Sequence, residues 1–378
     1  MMKKVYLDNA ATTPIISQVI QTITEVMTET YGNPSSSHQF GRKARTIVEE
    51  ARKGIAKHFN VTASEVVFTA GGSEADNLIL RNAVENLGVN RIITSKIEHH
   101  AVLHTVEAIE KEHSITVSFV DVNEKGEIDY GHLEKLLAES EQKTLVSLMY
   151  INNEIGNILD LKKICSLCKS YNALFHSDTV QAIGHYRIDL QETPIDFMVA
   201  SAHKFHGPKG VGFAVIKKGF GIKPILVGGE QERGARAGTE NVHNIAGMYK
   251  ALDIAIAQMD MDAKYICDLK RYFIKQLKNI DNNIRFNGLS AEEDGCSYIV
   301  LNVRFTKDLP MFLFNLDLKG IAASGGSACQ SGSNQGSHVL NAILSTEEAM
   351  KTSVRFSLSK FTTKEEIDYT LDVIKNLI

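Results

Sequence analysis

The sequence predicts an α/β protein with a large domain built on a mostly parallel sheet and a smaller α+β domain. Between about residues 65 and 218, apolar strand-like runs alternate with helical patterns. Beyond about residue 255 this alternation stops and a long helical pattern begins. A chain of 378 residues is also long enough to bury two separate cores.

The alternating region predicts a series of βαβ units. The expected strand–helix pairs are residues 66–69 with a helix from Glu74, 91–94 with a helix from His100, and 117–120 with a helix over 133–138; further strands are expected at 145–151, 173–178 and 197–200. Such units give a mostly parallel sheet with helices on both faces. Ligands of these sheets bind at the C-terminal ends of the strands, so polar residues there are candidates for a functional site.

The C-terminal third has a different pattern. A helix is predicted over residues 261–278, followed by strands at 298–303 and 353–357. The last helix begins with a capping box, Thr363 to Glu366, and has apolar residues on one face. Together with the N-terminal segment this predicts a large domain at 13–255 and a small domain formed by 1–12 and 256–378.

The composition excludes several classes of protein. Hydrophobic residues make up 43% of the chain and charged residues 23%, as in ordinary globular proteins. A net charge of −4 gives no indication of nucleic-acid binding, and no apolar run is long enough for a membrane span or a signal peptide. Five cysteines without a secretory signal favour a reducing, cytoplasmic location.

Two polar residues at predicted strand ends indicate cofactor chemistry. Lys204 follows the apolar run 197–200, where partial desolvation would lower its pKa and free its amine for imine formation. A solvated loop lysine is an equally good interpretation of that segment alone. Asp178 ends a second apolar strand. A lysine that forms a Schiff base and an aspartate that pairs with a protonated pyridine nitrogen are what a pyridoxal 5'-phosphate (PLP) enzyme requires.

With these motifs the chain resembles the cysteine desulfurases, fold-type I PLP enzymes related to the class V aminotransferases. The resemblance extends from residues 6–13 to residues 354–358 and includes several motifs in the family's order. It implies a fold-type I PLP-dependent transferase fold and a homodimer. It also implies conversion of L-cysteine to L-alanine, with the sulfur passed to an acceptor.

The resemblance assigns roles to individual residues. Lys204 is expected to bind the cofactor covalently, Asp178 to pair with its pyridine nitrogen, and His99 to stack on its ring and assist proton transfer. The other expected contacts are Gly72, Ser73, Ser201 and His203 at the phosphate side, Asn153 and Gln181 at the phenolic side, Thr239 from the second subunit at the phosphate, and Arg355 with Asn33 at the substrate carboxylate. From the residues alone, the glycine pair could equally form a tight turn, the paired histidines could lie on the surface, and the paired asparagines could form a polar turn.

Cys329 is the predicted nucleophile among the five cysteines. Nine of the fourteen residues from 324 to 337 are glycine or serine, so the segment is predicted to form a mobile loop rather than to pack in a core. The resemblance implies that this cysteine attacks the substrate sulfur, holds it as a persulfide and delivers it to an iron–sulfur scaffold or a thiolation protein. Cys165 and Cys168 form a CxxC motif, but they share a helical face with Leu161 and Ile164, which favours core packing over a metal or redox site.

Three alternatives remain open at this stage. A selenocysteine lyase would use the same residues. A class V aminotransferase would not need Cys329, and a non-catalytic protein could retain the fold alone. No metal is expected, since no metal-ligand spacing occurs in the predicted site.

Overall fold

The computed structural model describes residues 3–325 and 336–378. The strands are β1 (Val5–Tyr6), β2 (Val66–Thr69), β3 (Arg91–Ser95), β4 (Thr116–Val120), β5 (Thr144–Ser147), β6 (Leu174–Asp178), β7 (Phe197–Ser201), β8 (Gly212–Ile216), β9 (Arg285–Phe286), β10 (Val300–Arg304), β11 (Ile321–Ala322) and β12 (Ser353–Ser357). The helices are α1 (Ser17–Glu29), α2 (Gln39–His58), α3 (Gly72–Glu85), α4 (His100–Glu112), α5 (Tyr130–Ala138), α6 (Leu161–Ser170), α7 (Val242–Ile280), α8 (Phe312–Leu318), α9 (His338–Ile343), α10 (Thr346–Ala349) and α11 (Lys364–Leu377).

The centre of the protein is a seven-stranded sheet in the order β2-β8-β7-β6-β5-β3-β4. Strands β3 to β7 are parallel, and only β8 runs antiparallel to its neighbours. The mostly parallel sheet predicted from the sequence is therefore confirmed. The reversal at β8 was not predicted, because a buried antiparallel strand has the same continuous apolar pattern as a parallel one.

Side chains that alternate along the strands supply two hydrophobic cores. On β5 and β7, Val146 and Met198 pack with helices α2, α5, α6 and α7, whereas Leu145 and Val199 pack with α3 and α4 on the opposite face. Because successive side chains of a strand point to opposite faces, helices cover both sides of the sheet. This burial leaves the strand ends as the accessible part.

A third core forms from the end of the chain. Strands β9, β10 and β12 make an antiparallel sheet, and β1 pairs with β11. Val5 and Leu7 pack in one cluster with residues of α7, β10, β12 and α11. The predicted capping box is present, since Thr363 accepts from the Glu366 N–H and the Glu366 side chain accepts from the Thr363 N–H.

The boundaries differ from the predictions in two instructive places. The strand expected at 145–151 ends at Ser147, although the N–H groups of Leu148 and Tyr150 still donate to β6 carbonyls. The helix expected at 261–278 already begins at Val242. Its additional N-terminal turns are stabilised by packing against α1 and α2. Among residues 3–325 and 336–378, no helix has both the length and the hydropathy needed to cross a bilayer.

Candidate active site

A cavity of about 220 Å³ lies at the C-terminal ends of the central strands. Its lining contains ten of the residues expected from the sequence: Gly72, Ser73, His99, Asn153, Asp178, Gln181, Ser201, His203, Lys204 and Arg355. Ala10, Ala11, Asp76, Met149 and Val180 complete the lining. The parallel sheet explains this convergence, since β3, β5, β6 and β7 end at the same edge.

The Lys204 amine lies against the N-terminal segment. Its Nζ donates to the Ala10 carbonyl at 2.5 Å and to the Ala11 carbonyl at 3.0 Å. The Gln181 side-chain amide donates to the same Ala10 carbonyl at 2.9 Å. The segment 8–13 thus positions the lysine and Gln181 together, a role that the sequence did not suggest for these alanines because it uses only their backbone.

The inner end of the cavity contains two buried carboxyl groups. Asp178 is 6% exposed and accepts from the Val180 N–H at 2.9 Å. Burial raises its pKa, while the Val180 hydrogen bond and the Lys204 charge lower it. Burial, followed by the charges of Asp178 and Glu98, raises the pKa of Asp76 well above its usual range. Two neighbouring buried carboxylates repel, so we place the negative charge on Asp178 and the proton on Asp76.

A histidine and a serine continue this arrangement behind Asp76. Asp76 Oδ1 lies 3.3 Å from Nε2 of His176, and Nδ1 of His176 lies 2.9 Å from Oγ of Ser147. Burial lowers the pKa of His176 to about 3, so its ring is neutral. A protonated Asp76 can then donate to Nε2 while Nδ1–H donates to Ser147. Sequence reasoning missed Asp76, although it lies one helical turn after Gly72 and therefore on the same face of α3.

His99 is fixed in one tautomer at the start of α4. Its Nδ1 accepts from the Ala101 N–H at 3.1 Å, which leaves the ring proton on Nε2. Burial, followed by the charges of Lys204, His338 and His104, lowers the pKa of His99 to about 4. The ring is therefore uncharged at neutral pH. A neutral ring of this kind can pack on an aromatic face and still donate one hydrogen bond.

The N-terminus of α3 forms the anion-binding end of the cavity. A Cβ on Gly72 would lie 2.7 Å from Cγ2 of Val180, so a larger residue would not fit there. The first N–H groups of this 14-residue helix have no partner within the helix and carry its positive dipole end. Ser201 and His203 line the same end, with His203 Nδ1 at 3.2 Å from Thr12 Oγ1.

Three distant segments build the outer end of the cavity around Arg355. Its Nη2 donates to Asp8 at 2.9 Å and its Nη1 to the Asn153 carbonyl at 2.8 Å. Its Nε is buried without a hydrogen-bond partner among the residues described. Ser324 donates to Asp8 at 2.8 Å and its carbonyl accepts from the Arg355 N–H at 2.6 Å. The guanidinium is thus held in place, and these two contacts use only two of its five N–H groups.

Cys329 lies outside the described residues, but both flanks of its segment reach the cavity region. On one side Ser324 pairs with Arg355, which lines the cavity. On the other side Ser337 Oγ donates to the buried carboxylate of Glu154, and His338 Nε2 lies 2.9 Å from the Glu98 carbonyl. Glu98 precedes His99, and Glu154 follows Asn153.

Two predicted contacts do not line the cavity of their own chain. Asn33 is exposed, and its side chain accepts from the Ser35 N–H at 2.9 Å. Thr239 is exposed as well. Its loop is fixed by Glu232, which forms two hydrogen bonds with Arg52 at 2.7 and 2.9 Å, and by Arg236, which binds Glu74 of α3 at 2.8 Å.

The CxxC cysteines pack in the core, as the helical pattern predicted. Cys165 and Cys168 are buried on α6, and burial raises the pKa of Cys165 to about 12 and that of Cys168 further. Within the described part of the chain, one group of side chains has metal-ligand spacing: Glu85, Glu112 and His113. Arg81 contacts both of its glutamates, and none of the three lines the cavity.

The cavity has the donor set that PLP requires. Asp178 would hold the pyridine nitrogen, the glycine-lined N-terminus of α3 would hold the phosphate, and Lys204 would bind the aldehyde. The neutral ring of His99 would face the pyridine. When bound there, PLP withdraws electrons from the Cα of an amino acid.

Known proteins share this chain's sequence and fold along its whole length. The family model for aminotransferase class-V matches residues 5–370. A protein from Dictyoglomus turgidum named cysteine desulfurase IscS is 40% identical over 383 residues, with 100% of this chain and 95% of that protein covered.

Solved structures agree with the sequence comparison. A NifS-like protein has a TM-score of 0.90 and 34% identity, with 99% of both chains covered. A structure of SspA in complex with cysteine has a TM-score of 0.80 and 30% identity, and covers 95% of this chain and 100% of that one. The expected family is therefore confirmed: the chain belongs to the cysteine desulfurases within aminotransferase class-V, which are PLP-dependent enzymes.

Proposed function

We propose that this protein is a PLP-dependent cysteine desulfurase. It transfers the sulfur of L-cysteine to the Cys329 thiol, which becomes a persulfide, and releases L-alanine. The observation that carries the proposal is that Lys204, Asp178 and Arg355 line one cavity while the segment containing Cys329 is anchored near it at both ends. The names of the relatives support the same reaction, as does the cysteine bound to SspA.

Each of the side chains that line the cavity has its own role in the reaction. Arg355 orients the substrate carboxylate through guanidinium N–H groups that its contacts with Asp8 and Asn153 do not use. The Lys204 amine removes the proton from Cα and returns it at the end of the reaction. Asp178 keeps the pyridine nitrogen protonated through its negative charge. His99 donates from Nε2 and, with its pKa lowered to about 4, is too weak a base to compete with Lys204 for the proton.

The tether of Cys329 is short enough for attack on a bound substrate. Cys329 is five positions after Ser324, and an extended chain spans at most about 3.6 Å per residue. Its Cα therefore remains within about 18 Å of the Cα of Ser324, which pairs with Arg355. The same tether would let the persulfide meet an acceptor protein, for which an iron–sulfur scaffold or a thiolation protein is proposed.

The decisive experiment is Cys329→Ser in the PLP-loaded enzyme. We expect sulfide release and alanine formation to be lost while the absorbance of bound PLP remains, with Cys267→Ser as the matched control that keeps full activity. Retained desulfuration by Cys329→Ser would refute this assignment of the nucleophile. Formation of a keto acid instead of alanine would indicate an aminotransferase, and a strong preference for selenocysteine would indicate a selenocysteine lyase.

We further propose a homodimer in which Thr239 reaches the active site of the partner. A second cavity, open to the surface and about 440 Å³ in volume, adjoins the N-terminus of α3 and is lined by Gly72, Ser201 and Lys209. The loop of Thr239 is exposed and held by two ion pairs, so it is prepared for such a contact. Asn33 stays a proposed contact of the substrate carboxylate, although it is exposed and does not line the cavity of its own chain. Sedimentation at micromolar concentration should give the mass of a dimer.

Two organisational features complete the proposal. The large domain is proposed at 13–255 and the small domain at 1–12 with 256–378, which is supported by the separate hydrophobic cluster of Val5, Leu7 and the C-terminal elements. A cytoplasmic location is supported by the free thiols of the four described cysteines. Limited proteolysis and cell fractionation would test these two assignments.

A further inference from the structure

A buried lysine lies outside the active-site cavity, in the C-terminal half of α7. Lys270 is 3% exposed. Its Nζ donates to the Ser297 carbonyl at 2.6 Å and to Sγ of Cys296 at 3.5 Å. Burial lowers its pKa, and the groups that partly offset this effect are two thiols, Cys296 and Cys267. A buried lysine beside a thiol, rather than beside a carboxylate, calls for a chemical explanation.

The Cys296 thiol is reachable from solvent. The residue is partly exposed, and the four residues before it are exposed. Its Sγ accepts from Lys270 and donates to the Glu292 carbonyl at 3.1 Å. Cys165 and Cys168, in contrast, are buried with raised pKa values. A soluble oxidant can therefore reach Cys296 more easily than the buried cysteines Cys165 and Cys168.

We propose that Cys296 and Lys270 form a peroxide-sensitive modification site that closes a reversible sulfur–nitrogen bond. Hydrogen peroxide oxidises the thiol: its O–O bond breaks, one oxygen stays on sulfur as sulfenic acid, and the other leaves as water. The Lys270 amine, once it has lost its proton to solvent, then attacks the sulfur with its lone pair. The S–O bond breaks, and hydroxide leaves as water with a proton from the amine. The S–N product protects the sulfur from irreversible oxidation.

The position of the pair connects it to the cofactor site. The Ser297 N–H donates to the Gly156 carbonyl at 2.7 Å, and the Ile158 N–H donates to the Gly295 carbonyl at 2.9 Å, so this segment supports the loop that follows Asn153. Tyr298 donates to the His185 carbonyl at 3.0 Å. A bond from α7 to Cys296 would therefore fix the segment on which that loop rests.

The test is peroxide treatment of the PLP-loaded enzyme carrying Cys329→Ser, which removes the proposed nucleophile as a competing target. Peptide mapping by mass spectrometry should give a cross-link between the peptides of Lys270 and Cys296, lighter than their sum by two hydrogens and cleaved by dithiothreitol. The measurement reads a change in the mass of the chain itself, so the result does not depend on desulfurase activity.

Variants distinguish the pair from general cysteine oxidation. The cross-link should be lost in Lys270→Met and in Cys296→Ser, and kept in Cys267→Ser. In Lys270→Met we expect Cys296 to accumulate as sulfinic and sulfonic acid. The proposal fails if folded enzyme with Lys270 intact shows Cys296 only as these acids, unmodified, or in a disulfide with Cys267.

Discussion

The inner and outer ends of the active-site cavity are built in opposite ways. The inner end is formed by two adjoining elements: Asp178 and His176 lie on β6, and Asp76 lies on α3, which packs beside that strand. The outer end joins Asp8, Asn153, Ser324 and Arg355, which are far apart in the sequence. At the inner end, burial and the positions of the protons determine the chemistry. At the outer end, the geometry of the hydrogen bonds determines it. Each end should therefore fail in its own way when it is altered.

The largest effect is expected at the inner end from Asp178→Ala. Without the carboxylate the pyridine nitrogen loses its charged partner, and kcat should fall on the order of a hundredfold to a thousandfold. Steady-state kinetics and the absorbance of bound PLP as a function of pH will check this. Asp196→Asn is the control, because it removes a buried carboxylate that binds Phe175 and Lys217 outside the cavity. Equal losses of kcat in both variants would argue against a specific role for Asp178.

The outer end is tested by Arg355→Lys. Lysine keeps the charge but cannot contact Asp8, the Asn153 carbonyl and a substrate carboxylate at once. The expected loss in kcat/KM is roughly tenfold to a hundredfold, as for a hydrogen bond between charged groups. The absorbance of PLP should stay unchanged. Asp8→Asn should give a smaller loss of the same kind, and a change in absorbance in either variant would contradict the separation of the two ends.

The pH dependence of stability should reflect the buried histidines around the cavity. Burial lowers the pKa values of His99, His185, His203 and His206 to about 4 and that of His176 to about 3. The unfolded chain binds more protons than the fold below about pH 6.5, so stability present above that pH is lost as the pH falls through about 4.

Urea denaturation of the PLP-free protein at several pH values measures this effect. His176→Gln should flatten the dependence, because it removes the most strongly shifted of these groups. Glu98 acts in the opposite direction: burial raises its pKa to about 8, so its contribution is present at low pH and is lost as the pH rises through about 8. A midpoint that depends on pH as steeply in His176→Gln as in the unaltered protein would contradict a neutral buried His176.

The smallest effect is expected from Asp76→Asn. If Asp76 is protonated, asparagine keeps both its neutral charge and its donor to His176, and kcat should change little. Asp76→Ala removes the carboxyl group that lies 3.3 Å from the buried Nε2 of His176, which should lower the free energy of unfolding by about 1–3 kcal/mol. Denaturation and kinetics of the two variants give the comparison. A large loss of kcat in Asp76→Asn alone would place the negative charge on Asp76.

The sequence could predict single strands and the polar residues at their ends, but not contacts between distant segments. Strands β2, β6, β7 and β12 were expected within a residue or two because each is a continuous or alternating apolar run. Their C-terminal polar residues, Asp178 and Lys204, were found for the same reason. Asp8 and the carbonyls of Ala10 and Ala11 were missed, since their role depends on contacts with residues nearly 200 or more positions away. Helices α1 and α2 were not predicted, although Ala44, Val48, Ala51 and Ile55 of α2 recur at helical spacing and are buried.

The length of α7 has a consequence for how substrate enters. This helix of 39 residues, about 60 Å long, contributes Met248 and Leu252 to the core of the large sheet and Phe273 and Leu277 to the C-terminal cluster. It contains no proline, and proline-free helices bend only gently as a rule. A movement of one cluster away from the other as a rigid body would therefore require α7 to break. Substrate must then enter the cavity through the movement of short loops at its rim. The movement of loops, rather than of whole domains, would then set the timing of sulfur delivery.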